Sequence, residues 1–153
     1  MKHALVLIAA ALPTLASAQN AVTIKSDIFV ARTVTDAQGN KKNTLVAPTR
    51  VLPGEPLAII INYANTGTKP ATNFVIDNPV PKAVTFTGVA EAWAVVSVDD
   101  GKTFGPLTTL KIKNPDGTVR AAQPSDVVAV RWTLAKPIVP GGTGKVMFYG
   151  VVK

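Results

Sequence analysis

The chain has 153 residues, no cysteine and a single histidine, His3, with sixteen basic against nine acidic side chains and a formal charge of +7. His3 falls in an expected leader, so the rest of the chain lacks both imidazole and thiol. That excludes Ser-His-Asp and Cys-His nucleophiles and zinc or copper sites built on those ligands. Only Lys41 and Lys42 stand side by side among the well-spread lysines, and no aromatic residues interleave with them. A nucleic-acid interface would need a clustered patch; a solvated basic surface attracted to anionic envelope polymers is expected instead.

At the start, Met1-Lys2-His3 forms a cationic head before the apolar run Ala4 to Leu12, and Ala16-Ser17-Ala18 offers a small-x-small cleavage site before Gln19. Residues 1–18 are therefore expected to be a secretory signal peptide, the apolar run being too short to cross a bilayer. No later stretch reaches the ~18 apolar residues of a spanning helix, and no cysteine follows the cleavage site to accept a lipid. The expected product, residues 19–153, is one exported domain in the periplasm or outside the cell, with fifteen basic against nine acidic side chains. A chain of that size buries roughly two thirds of its unfolded surface. Without disulfides, its apolar core must hold it together.

Beyond the leader, apolar residues recur with period two and nowhere with helical period. The alternation predicts strands over 21–35, 43–48, 56–64, 71–77, 83–87, 90–98, 103–113, 118–121, 126–134 and 143–152. In the third of these, Leu57, Ile59, Ile61 and Tyr63 share one face; in the ninth, Val128, Val130, Trp132 and Leu134 do. Turn signals fall between the runs, at Gln38-Gly39-Asn40, Pro53-Gly54, Asn65-Thr66-Gly67, Pro79-Val80-Pro81, Asn114-Pro115-Asp116-Gly117 and Pro140-Gly141-Gly142. Strands punctuated in this way predict an all-β antiparallel sandwich.

Two stretches carry a family likeness. One is Pro53-Gly54-Glu55, then Ile59 to Gly67, then Ala71-Thr72-Asn73-Phe74-Val75-Ile76-Asp77 and Pro79-Val80-Pro81; the other is Val130-Arg131-Trp132-Thr133-Leu134 with Ile138 to Gly142. Together they resemble the bacterial DUF11 surface-repeat domain over most of residues 50–152, present here as a single copy. The resemblance implies an immunoglobulin-like sandwich of the kind found in exported and cell-surface proteins. A second motif, Ser97-Val98-Asp99-Asp100-Gly101-Lys102-Thr103-Phe104, fits the Asp-box pattern Ser-x-Asp-x-Gly-x-Thr-aromatic. Its carboxylate and hydroxyls suit the amides of a tight turn, with Phe104 packed beneath; a cation or glycan contact at Asp99 and Asp100 is the alternative.

Candidates for chemistry are few. Asp77, Asp99, Asp100 and Asp126 could supply the facing acids of a glycosidase, yet each sits at a strand end or turn where Asp commonly bonds backbone. None of Ser26, Ser97 and Ser125 lies in a Gly-x-Ser-x-Gly elbow. Trp132, in phase with Val128 and Val130, is expected in the core, whereas Trp93, among small neighbours, could stack on a sugar. Tyr63 and Tyr149 continue apolar alternations and are expected to pack with their hydroxyls at the rim. A Lys–Asn isopeptide bond would need a buried lysine beside an asparagine and an acid. No catalytic residue, cofactor or metal ligand is assigned. The expectation is an exported, non-catalytic structural or adhesive module, monomeric or homopolymeric. The alternatives are a fibre subunit in which residues 21–35 complete a neighbour's sheet, and a glycan- or calcium-binding module.

Overall fold

The computed structural model describes residues 22–153, so the leader assigned to residues 1–18 lies outside the described residues. Ten strands run in order: β1 Val22–Thr35, β2 Lys41–Val46, β3 Pro56–Asn65, β4 Val75–Pro79, β5 Val84–Val89, β6 Val95–Ser97, β7 Lys111–Lys113, β8 Val119–Ala121, β9 Ala129–Thr133 and β10 Thr143–Val152. Short 3-10 turns occupy Leu107–Thr109 and Pro124–Asp126. A five-stranded antiparallel sheet, in the order β2-β1-β3-β10-β5, faces a three-stranded sheet, β4-β9-β6, while β7 and β8 pair as a separate hairpin. The expected all-β, immunoglobulin-like antiparallel sandwich is the fold.

The alternation in β3 explains its central place. Leu57, Ile59 and Ile61 point into the sandwich and are buried. On the opposite face Ala58, also buried, has Phe29 of β1 and Tyr149 of β10 as its cross-strand partners. A small residue between two rings lets them close over the outer face. Tyr149 is thus on the outside at 37 % exposure, not packed inward as its alternation suggested. β1 and β10 both run antiparallel to β3 and therefore parallel to each other.

Between the sheets, Phe148 lies 6.3 Å from both Phe86 and Trp132, ring centre to ring centre. Trp132 is wholly buried, as its phase predicted, among Ile76, Val96, Val130 and Val146. Its indole N–H donates to Glu91 Oε2 at 3.0 Å, and the same oxygen accepts the Met147 amide at 3.1 Å. Buried polar groups need such partners; Glu91 supplies one to each sheet.

Several strands are shorter than the alternation predicted, each for a local reason. Residues 90–98 hold only the three-residue β6, because Ala94 N–H bonds back to Glu91 O and makes a turn of 91–94. Residues 103–113 hold a single bridge, Gly105 to Val96, then the 3-10 turn after Pro106, and only their last three residues form a strand, β7. The run 71–77 becomes β4 only at Val75: Ala71 bridges Ile138, and Asn73 takes a left-handed φ of 51°. In 126–134 the phase slips. The 3-10 turn at 124–126, closed by a Gln123–Asp126 capping box, leaves both Val127 and Val130 buried and Val128 exposed.

β1 changes partner midway. Residues 22–30 pair with β3, and residues 30–35 pair with β2. The segment that the fibre alternative would donate to a neighbour thus pairs within its own chain. Beyond Val30 the β1–β2 hairpin projects from the sandwich, and every described side chain from Arg32 to Gly54 is exposed. Asp36 closes its tip, its Oδ1 accepting the Gln38 and Asn40 amides at 3.0 and 2.8 Å.

Candidate functional site

The Asp-box folds as a self-contained turn after β6. Ser97, fully buried, donates its hydroxyl to Asp99 Oδ1 at 2.8 Å and accepts the Gly101 amide at 3.0 Å. Asp99 in turn accepts the Thr103 amide on Oδ1 at 2.9 Å and the Thr103 hydroxyl on Oδ2 at 2.7 Å. Asp100 and Gly101 take left-handed φ values of 58° and 79°, which reverse the chain. The Thr103 amide, then the Thr103 and Ser97 hydroxyls, lower the Asp99 carboxyl to about 2. Phe104 does not sit under the hairpin alone: Arg131 stacks on it, with its guanidinium carbon 3.7 Å from the ring centre.

Asp77 and Asp126, also singled out from the sequence, are likewise engaged within the protein. Asp77 meets Arg131 directly across β4 and β9 in a two-point contact of 2.6 and 2.7 Å. Asp126 takes two bonds from Arg120 at 2.6 and 2.7 Å and one from the Gln123 amide at 2.8 Å. These bonds, the Arg120 contact first, lower the Asp126 carboxyl to about 2. Asp100 lines a depression of about 320 Å³ with Ser125, Lys82 and Lys153. Among the described residues no three acids converge on a point that could hold a metal ion. All lysines from Lys25 to Lys153 are exposed, so no buried lysine stands ready for an isopeptide bond.

The Asn-x-Gly stretch Asn65-Thr66-Gly67 has an internal purpose. Asn65 is buried; its amide donates to Lys69 O at 2.8 Å and Ile138 O at 2.7 Å, and its carbonyl accepts the Gly67 amide at 2.9 Å. The side chain, rather than a left-handed glycine, shapes this turn. It also ties the β3–β4 loop to the β9–β10 loop.

That stapled end of the sandwich carries a recess of mixed chemistry. Trp93, half exposed on the 91–94 turn, and Tyr63, at the end of β3, line a groove of about 520 Å³ together with Thr133, Lys136, Val139 and Thr143. A second depression of about 440 Å³ is also lined by Tyr63 and Thr143, together with Lys25 and Lys145. Trp93 and the Asp-box acids, linked in the sequence reading of a glycan site, line different recesses. Lys136 had no sequence signal to set it apart from the other scattered cations. Tyr63 had one, as the polar-tipped end of an apolar strand face.

No known protein family, no curated protein and no solved structure matches this chain.

Proposed function

We propose that this protein is an exported, non-catalytic structural or adhesive module of the bacterial envelope or cell surface, working by contact rather than turnover. The observation that carries the reading is the engagement of its acids. Asp77, Asp99 and Asp126, three of the four aspartates that the sequence offered for acid–base work, each hold an arginine or a turn. The cationic head and small-x-small site at 1–18 support export, and the likeness to the DUF11 surface-repeat domain supports a surface role. Among the described residues no helix is long and apolar enough to cross a membrane. Cell fractionation of a C-terminally tagged chain tests the address, and a broad hydrolase screen tests the chemistry. Processing before Gln19 with recovery in periplasm, envelope or medium is expected, and no turnover. Cytoplasmic retention would refute the first half; turnover lost on Asp77→Asn or Asp126→Asn would refute the second.

Self-assembly is a second reading, favoured by the projecting hairpin. β2 is an end strand of the large sheet and β4 of the small one, and unpaired strand edges template further pairing. The donated element would then be the β2 edge rather than residues 22–30. Light scattering after size exclusion, on wild type and on Thr44→Pro, distinguishes the cases. Oligomers dissolved by the proline support assembly, and monomer at high concentration removes it.

A further inference from the structure

We infer that the groove between Trp93 and Tyr63 binds an acidic glycan, a chain of pyranose units bearing carboxylates. This deepens the contact reading above and rests on it. Three features of the groove converge.

The first is a rigidly displayed indole. Trp93 is 50 % exposed while Trp132 is completely buried, so one of the two tryptophans contributes little to the core. The turn that carries Trp93 is closed by the Ala94–Glu91 backbone bond of 3.0 Å. Glu91 itself is bonded to Trp132 in one sheet and Met147 in the other. A ring held out to solvent by a turn pinned to both sheets loses little freedom on binding, which is how preorganisation raises affinity.

The second is the opposite wall. Tyr63 lies against Gly144 of β10, where an added β-carbon would come within 2.2 Å of the phenol oxygen. The absence of a side chain at 144 lets the tyrosine settle across the strand. Two aromatic side chains lining one groove with the polar residues Thr133 and Lys136 match a sugar ring. Such a ring has apolar C–H faces and a polar rim, and aromatic residues with polar tips suit ligands of that kind.

The third is charge. None of the residues lining the groove is acidic, and Lys136 makes no ion pair among the described residues. An ammonium group beside an aromatic-walled groove selects an anionic chain over a neutral one. The groove's volume falls in the ~300–1,000 Å³ range of small-ligand sites.

The test is titration of the purified protein with oligogalacturonate, maltotetraose and inorganic polyphosphate, read by calorimetry and by tryptophan fluorescence. Binding of the uronate oligomer is expected, weakened by salt, with much weaker binding of the neutral sugar and of polyphosphate. Trp93→Ala should weaken it about tenfold or more, as for an aromatic anchor at a contact site. Lys136→Ala should weaken it less while reducing the salt dependence. Because Trp93 is exposed, an unchanged melting temperature is expected for its variant; Lys136→Glu supplies an independent check at a surface position. Equal affinity for neutral and acidic sugars, equal affinity for polyphosphate, or undiminished binding by Trp93→Ala and Lys136→Glu would overturn the inference, as would no uronate binding. Cleavage of the uronate chain would instead refute the non-catalytic reading and leave the groove standing. Envelope association without uronate binding would do the reverse.

Discussion

At the scale of single residues, this protein relies on a few polar side chains that each close several bonds. Asn65 is the clearest. Replacing it with alanine takes one of two donors from the Ile138 carbonyl, which keeps the Ala71 amide, removes the bond to the Lys69 carbonyl and frees the Gly67 amide, and a loss of about 1–2 kcal/mol is expected. Urea denaturation would measure it, with Asn62→Ala at an exposed site as the control. Asp99 gives a pH dependence. Its carboxyl lies at about 2 in the folded protein against an ordinary 3.8, so its stabilising charge is fully present above that ordinary value and is lost as the pH falls through 2. Thermal melts between pH 5 and 2 should therefore show a drop in wild type that is smaller in Asp99→Asn. Both residues were legible in the sequence through their local partners, Gly67 and Thr103, at spacings that Asn-x-Gly and the Asp-box define; the bond from Asn65 to the distant Ile138 carbonyl was not. Glu91 was not: its partners are Trp132 and Met147, which only the closed sandwich brings within reach.

Among the elements, the legible strands were those with unbroken alternation and two neighbours. β3 and β10 run as expected to within a residue, since their faces differ consistently in polarity. The overlong predictions at 90–98 and 103–113 failed where apolar residues serve loops instead of strands. Leu107 and Leu110 pack on the core from an irregular segment, so their hydrophobicity says nothing about extension. β10 also carries a bulge between Tyr149 and Gly150, where its register against β5 shifts. A β-carbon at 150 would come within 2.3 Å of the Val84 side chain and 2.9 Å of the Thr85 carbonyl oxygen. Gly150→Ala is accordingly expected to destabilise by about 1–3 kcal/mol through overpacking. Chemical denaturation would show this as a lower midpoint with an unchanged slope.

For the whole molecule, stability is unevenly distributed. The sandwich core extends from Val30 to Phe148, whereas the hairpin beyond Val30 has no second layer over it. Two-stranded hairpins without such cover are marginal, and local opening follows sparse burial. Trypsin under native conditions should thus cut first at Arg32, Lys41, Lys42 or Arg50, leaving a resistant fragment that begins near Val51. Mass spectrometry of the early products would check this, and primary cleavage at Lys111 or Lys145 would contradict it.

The parallel run of β1 and β10 on either side of β3 has a mechanical corollary. Val22 and Val152 sit at opposite extremities of a ladder whose central member, ten residues long, reaches about 33 Å. Tension applied between those extremities acts along the strands, so the flanking hydrogen bonds must yield together in shear instead of unzipping singly. A fold wired in this way resists stretch along its strands more than peeling across them.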